Sequence, residues 1–141
     1  MKQLTVFVKN ERGSVVSVTE ALAASGVNLR ALSIAETEEF GILRLVVSDT
    51  AAAEAALSAQ GYLFKTVEVV GVKIGDAPGK LTEALGVLDR AKIDVEYLYA
   101  FMARTERHAY VALRVEDNAA AETALTAAGF HLISAEDIKK L

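Results

Sequence analysis

Leu4, Val6 and Val8 alternate with Gln3, Thr5 and Phe7, which predicts a strand with one buried face. A polar turn, Asn10-Glu11-Arg12-Gly13, leads into a stretch where Val15, Val18, Ala21 and Leu22 share a helical face. Gly26, suited to a left-handed helix terminus, ends that helix. A second strand is expected from about Val27 to Ala35, and a third carries Leu43, Leu45 and Val47 at a two-residue period toward the helices. Asp49 is placed to cap an alanine-rich helix ending near Gly61, and Tyr62–Thr66 forms a last strand.

The same pattern then runs again. A shift of 66 residues lays Asn10 on Asp76, Gly13 on Gly79, Val15 on Leu81, Leu22 on Leu88 and Val27 on Ile93; a shift of 68 lays Leu45 on Leu113, Asp49 on Asp117, Leu57 on Leu125 and Gly61 on Gly129. The second copy is expected to carry a strand through Val70, Val72 and Ile74. A helix with Leu81, Ala84, Leu85 and Leu88 on one face then ends around Ala91-Lys92. Strands over about Ile93–Ala103 and through Val111, Leu113 and Val115 follow, then an Asp117-capped helix and a strand over Phe130–Ser134. Two β-α-β-β-α-β units in tandem make an α+β protein of ferredoxin-like order, with units at 1–66 and 67–141. No Pro/Gly/Ser linker separates them. Ser134-Ala135-Glu136-Asp137 has the form of a helix start, so a short terminal helix through Lys139 is expected.

Composition narrows the function. Of 141 residues 52% are hydrophobic and 24% charged, which excludes disorder. A formal net charge of −4 without a basic run argues against nucleic acid as a partner. There is no cysteine, hence no disulfide framework, zinc-thiolate site or thiol nucleophile. No apolar block of about 18 residues marks a membrane span and no signal-peptide pattern opens the chain, so a cytoplasmic protein without a membrane partner is expected.

Candidate chemistry centres on Gly75-Asp76-Ala77-Pro78-Gly79-Lys80-Leu81, which holds the only proline. Proline suits a helix's first turn, and Gly79 removes a Cβ from the approach to it. First-turn amides at the positive end of a helix dipole accept a carboxylate, and Asp76 can bind an ammonium beside it. A zwitterionic amino acid carries both groups. The same residues equally fit a plain helix cap in which Asp76 bonds its own helix. The segment superficially resembles a phosphate loop, yet Ile74 stands for its first glycine and Leu81 for its Ser or Thr, so a nucleoside-triphosphate site is rejected. Gly71, Gly75 and Gly79 lack dinucleotide-loop spacing. His108, in the expected turn between the second and third strands, and His131 form no metal pattern, and no Gly-x-Ser-x-Gly element is present. Asp94 and Glu96 stand two apart on an expected strand, where two carboxylates could share a face; solvated charges at a strand end fit them better. Tyr97 and Tyr99 lie opposite Leu98 and suit a pocket wall or packing. Arg104, Glu106 and Arg107 read as a solvated hairpin.

The strand, the Asp-x-Pro-Gly-x-Leu turn and the amphipathic helix, inside a βαββαβ unit and repeated, resemble the ACT domain, and almost the whole chain is similar to small tandem ACT-domain proteins. The resemblance implies regulatory binding of a free amino acid where such domains pair, between the first loop of one and the second strand of its neighbour. On matching positions it implicates Asp76, Ala77, Pro78, Gly79, Lys80 and Leu81, with Asp94, Val95, Tyr97 and Leu98 on the strand. In the other copy it implicates Asn10, Glu11, Arg12, Gly13, Ser14 and Val15, with Asn28, Leu29, Ala31 and Leu32. There Asn10 replaces the acid and Arg12 the proline, so the two sites are expected to differ. With no catalytic domain in the sequence, a non-enzyme acting in trans on an enzyme partner, without a cofactor, is implied. Phe7, Ile42, Val46 and Tyr110 on the sheet face away from the helices point to a homodimer. A ligand-independent scaffold for an enzyme is the alternative; an enzyme using Asp76 or His108 ranks below both.

Overall fold

The computed structural model of the chain describes residues 1–103 and 107–141. Two compact units are present, one of Lys2–Val67 and one of Glu68–Leu141 together with Met1. Their elements are β1 (Lys2–Lys9), α1 (Ser14–Ala24), β2 (Leu29–Glu36), β3 (Phe40–Val47), α2 (Thr50–Ala59) and β4 (Leu63–Glu68) in the first. The second has β5 (Val70–Gly75), α3 (Lys80–Arg90), β6 (Val95–Ala100), β7 (His108–Val115), α4 (Asn118–Ala127), β8 (His131–Leu132) and α5 (Ala135–Lys140). The sheets run in the orders β2-β3-β1-β4 and β6-β7-β5-β8, the ferredoxin-like arrangement twice.

Alternation along the strands builds each core. Leu4, Val6, Val8, Leu43, Leu45 and Val47 meet Val18 and Leu22 of α1 and Ala53 and Leu57 of α2. In the second unit Val70, Val72, Ile74, Val111, Leu113 and Val115 meet Ala84, Leu88, Ala121 and Leu125. Each alanine-rich helix is held by one leucine and one alanine, the rest of its surface being too small or too polar to anchor it. Asp49 and Asp117 cap these helices as expected, each carboxylate accepting from the third residue on, Ala52 and Ala120, at 3.0 Å. On the face away from the helices Val46 is buried, 1% exposed, whereas Phe7, Ile42 and Tyr110 are partly buried.

Three local expectations change. The last strand of the second unit is only His131–Leu132, against the expected Phe130–Ser134. Ser134 is already the N-cap of α5, in a reciprocal capping box with Asp137, so extended backbone cannot persist; Ile133 still donates its N–H to Gly71 O at 2.8 Å. The Ser134 N–H and hydroxyl hold the Asp137 carboxyl below its ordinary 3.8. Second, β6 ends at Ala100 rather than Ala103, with Phe101 still donating to Tyr110 O at 2.9 Å. Third, the register slips between Leu29 and Ala31 in β2 and between Val95 and Tyr97 in β6, a bulge at the same place in both copies.

α1 and α3 end at equivalent positions, but Gly26 of the first copy, at φ 70°, becomes Lys92 at φ 57° in the second. The left-handed region costs a residue with a Cβ roughly 1–2 kcal/mol, partly offset by the entropy a glycine would lose. Lys92→Gly is therefore expected to raise stability by about 0.5–1 kcal/mol, read as an increased urea midpoint at unchanged slope.

Candidate functional site

Both strand–helix loops follow one backbone plan. Gly13 and Gly79 are the N-caps of α1 and α3, with φ of 89° and 87°, and neither helix has a side-chain cap. Ser14 N–H reaches Glu11 O at 3.3 Å and Ser17 N–H reaches Gly13 O at 3.0 Å; the second copy repeats this with Lys80 to Ala77 and Glu83 to Gly79, at 3.2 and 2.9 Å. The amides between, of Val15 and Val16 and of Leu81 and Thr82, have no acceptor among the described residues.

Pro78 does not occupy the helix's first turn, contrary to expectation. α3 begins at Lys80, so Pro78 precedes the cap, and its fixed φ shapes the turn rather than opening the helix. Asp76 does not cap its own helix either. Its N–H donates to Arg107 O at 3.1 Å, and its exposed carboxylate meets no donor among the described residues. A Cβ on Gly79 would meet nothing within 4 Å, as would one on Gly13, so no protein backbone approaches closely at either, and the positive φ by itself favours glycine at both.

The first copy differs in its side chains. Asn10 donates to Thr37 O at 2.6 Å, tying the end of β1 to the β2–β3 turn and committing its side-chain amide. Glu11, Arg12, Gly13 and Ser14 line an open cavity of about 450 Å³ with Ser17, Tyr62 and the end of β1. Asn10, Val15 and the β2 residues Asn28, Leu29, Ala31 and Leu32 do not line it. Ala31 is fully buried, while Leu29 and Leu32 pack partly buried against the first core.

On the second sheet Val95 packs against its core and Leu98 is 38% exposed. Tyr97 and Tyr99 stack on one another with ring centroids 6.4 Å apart, and Tyr99 is buried. Asp94 lies before β6 and Glu96 is the bulge residue, 3.4 Å from Arg114 Nε, so the regular alternation that would align two carboxylates is broken between them. His108 opens β7 instead of lying in the turn, and His131 lies in β8. Arg104 and Glu106, on which the hairpin reading rests with Arg107, lie outside the described residues. Among the described residues no group of three His, Cys, Asp or Glu could hold a metal ion, and no helix is long and apolar enough to cross a membrane.

A cleft of about 400 Å³ that the sequence does not single out is lined by Phe7, Val8, Lys9, Glu39, Phe40 and Leu63, and shares Phe7, Val8, Lys9 and Leu63 with the cavity beside the first loop. Leu63 is 71% exposed in an edge strand, which an alternating pattern alone would place in or out by parity. An apolar residue just after the Gly61 turn is the one signal that marks it.

Comparison with known proteins bears on the whole chain. A family model described as an ACT domain pair matches residues 1–141. A crystal structure of a protein from Bacteroides thetaiotaomicron is 36% identical over 99% of this chain and 96% of that one, with a TM-score of 0.92. The regulatory subunits of aspartate kinase from Thermus thermophilus and Thermus flavus are both 18% identical, with TM-scores of 0.65 and 0.57. They cover 91% and 90% of this chain, and 92% and 91% of their own; that likeness shows the fold alone. No curated protein sequence matches significantly. With two βαββαβ units, equivalent loops and a family match from first residue to last, the chain belongs to the ACT domain pair family.

Proposed function

We propose that this protein is a regulatory amino-acid-binding module, not an enzyme, which senses a free amino acid and acts in trans on an enzyme partner through its state of assembly. The observation that carries the reading is the second loop: among the described residues the Asp76 carboxylate that follows β5 meets no donor, and the Leu81 and Thr82 amides at the start of the next helix meet no acceptor. A carboxylate finds hydrogen-bond donors and a positive dipole end there, and an ammonium finds an anion nearby. Pro78 and Gly79 fix the turn that separates the two. Asp94, just before β6, and Val95, Tyr97 and Leu98 within it are also assigned to the ligand. A ligand that favours one arrangement of paired domains shifts assembly by its difference in affinity between states, which is all that allosteric control requires.

Purified protein screened against the common amino acids by thermal shift is expected to melt higher with at least one, since native-state binding contributes about 2.7 kcal/mol at roughly 100 times the dissociation constant. Asp76→Asn keeps size and hydrogen-bonding atoms but removes the charge. A charge-assisted bond exceeds a neutral one by on the order of 1 kcal/mol, so affinity should fall about fivefold. Calorimetry measures the fall, circular dichroism establishes that the fold survives, and sedimentation with and without ligand should find a homodimer. If no amino acid binds at millimolar concentration, the scaffold alternative replaces this reading.

The cavity beside the first loop favours a second assignment within the same function. Glu11 and Arg12 offer both charges there while Asn10 is occupied with Thr37. Binding lost in Arg12→Ala but retained in Asp76→Asn would move the site to the first unit.

A further inference from the structure

The second unit includes one residue from the far end of the sequence. Met1 groups with Glu68–Leu141, whereas Lys2–Val67 forms the first unit. The bonds account for this. Val69 N–H donates to Met1 O and Met1 N donates to Val69 O, each at 2.8 Å, a reciprocal pair of the kind that joins strands. The Met1 side chain is buried, and its sulfur takes the room left at Gly71, where a Cβ would lie 2.6 Å from Met1 Sδ. A shift of 66 lays Thr5 on Gly71, so the first copy keeps a side chain at the place where the second gives it up. Val69 is 0% exposed, and Arg114 of β7 donates from Nη1 to Glu68 O at 3.1 Å while its Nε lies 3.4 Å from Glu96. Residues 68–69, where the sequence passes from one unit to the next, are thus held by Met1 and Arg114 rather than left as a solvated linker.

We infer that Met1, Glu68, Val69 and Arg114 form a clasp that closes Lys2–Val67 into a loop and so couples the stability of the two units. The chain leaves the second unit after Met1 and returns to it at Glu68, so both ends of the first unit are anchored at one place. An unfolded first unit with its ends held has fewer conformations than one tethered at a single end, which favours its folded form as a crosslink does. The coupling is reciprocal, because β1 and β4 are neighbours in the first sheet and a folded first unit keeps Met1 beside Val69. A molecule that stabilises either unit therefore tightens the other through the clasp. This goes beyond the amino-acid-binding reading and uses none of the residues assigned there.

Hydrogen exchange of the full chain, read at single amides by NMR, tests the clasp. The Val69 amide is expected to be as protected as the amides of β5, not as quickly exchanged as a linker. Arg114→Met keeps an apolar stem but removes the donors, and should speed Val69 exchange about tenfold. It should also lower the protection of the Leu43 and Leu45 amides, which belong to the core of the first unit. Gly71→Ala, which crowds Met1 Sδ, is a second route to the same pair of changes, and circular dichroism establishes that both variants fold. A Val69 amide that exchanges as fast as an exposed turn in the parental chain overturns the clasp. So does Val69 exchange that neither variant speeds, or protection at Leu43 and Leu45 that stays unchanged once Val69 has lost its own.

Discussion

Leu125→Ala is expected to destabilise the protein by about 2–5 kcal/mol, the range for deleting a fully buried leucine and leaving a cavity. The upper part of that range is the better expectation because of how α4 is built. Its sequence is Asn118–Ala127, and only Ala121 and Leu125 of it are buried. Leu125 is 0% exposed among Val70, Val72, Val111, Leu113, Ala84 and Leu88. No second large side chain of that helix can slide into the space. Leu57→Ala tests the same logic in the first unit, where α2 is held by Ala53 and Leu57. Against a typical domain stability of 5–15 kcal/mol, either loss is large. Urea unfolding followed by circular dichroism reads it; a loss below about 1 kcal/mol would mean that the alanine-rich helices are not held by their leucines.

Gly71→Ala should cost about 1–3 kcal/mol, the range for overpacking, although alanine ordinarily favours a strand over glycine. A Cβ at this position would sit 2.6 Å from Met1 Sδ and 3.0 Å from Ile133 Cβ. The methionine sulfur can swing aside. Ile133 cannot, because it is 6% exposed and its N–H is bonded to Gly71 O itself. Gly86→Ala is the contrast within the same unit. There the new Cβ meets only Arg90 Nη1, at 3.3 Å, the free end of a flexible side chain. In the interior of α3 the change should gain up to about 1 kcal/mol from helix propensity. Melting curves of the two variants should therefore move in opposite directions; a neutral Gly71→Ala would sink the packing argument.

The two-copy offset carried most of the fold, since apolar periods, capping aspartates and glycine stops recur at fixed shifts and each copy corroborates the other. What it missed are features set by partners distant in sequence. The bulges at Arg30 and Glu96 follow from how β2 and β6 pair with their neighbours, and nothing in Leu29–Leu32 or Val95–Leu98 announces them. Pro78 lies just before the cap of α3 rather than inside its first turn, and proline is compatible with both places. Only the left-handed Gly79 decides between these. Asn10 was legible as a departure from Asp76, but its bond to Thr37 spans 27 residues and needed the fold. The cleft over Phe7, Phe40 and Leu63 gathers three strands and leaves no local motif at all.

Lys92 has a practical consequence. Its left-handed backbone lies at the end of α3, outside both loops and the cleft, so relieving it touches none of the groups assigned to a ligand. Site variants that report on binding often fail because they are too unstable to purify, which confounds lost function with lost protein. A Lys92→Gly background supplies a margin against that confusion. Substitutions at Asp76 or Arg12 could then be compared on a common, sturdier scaffold, with the parental chain as the control for the background itself.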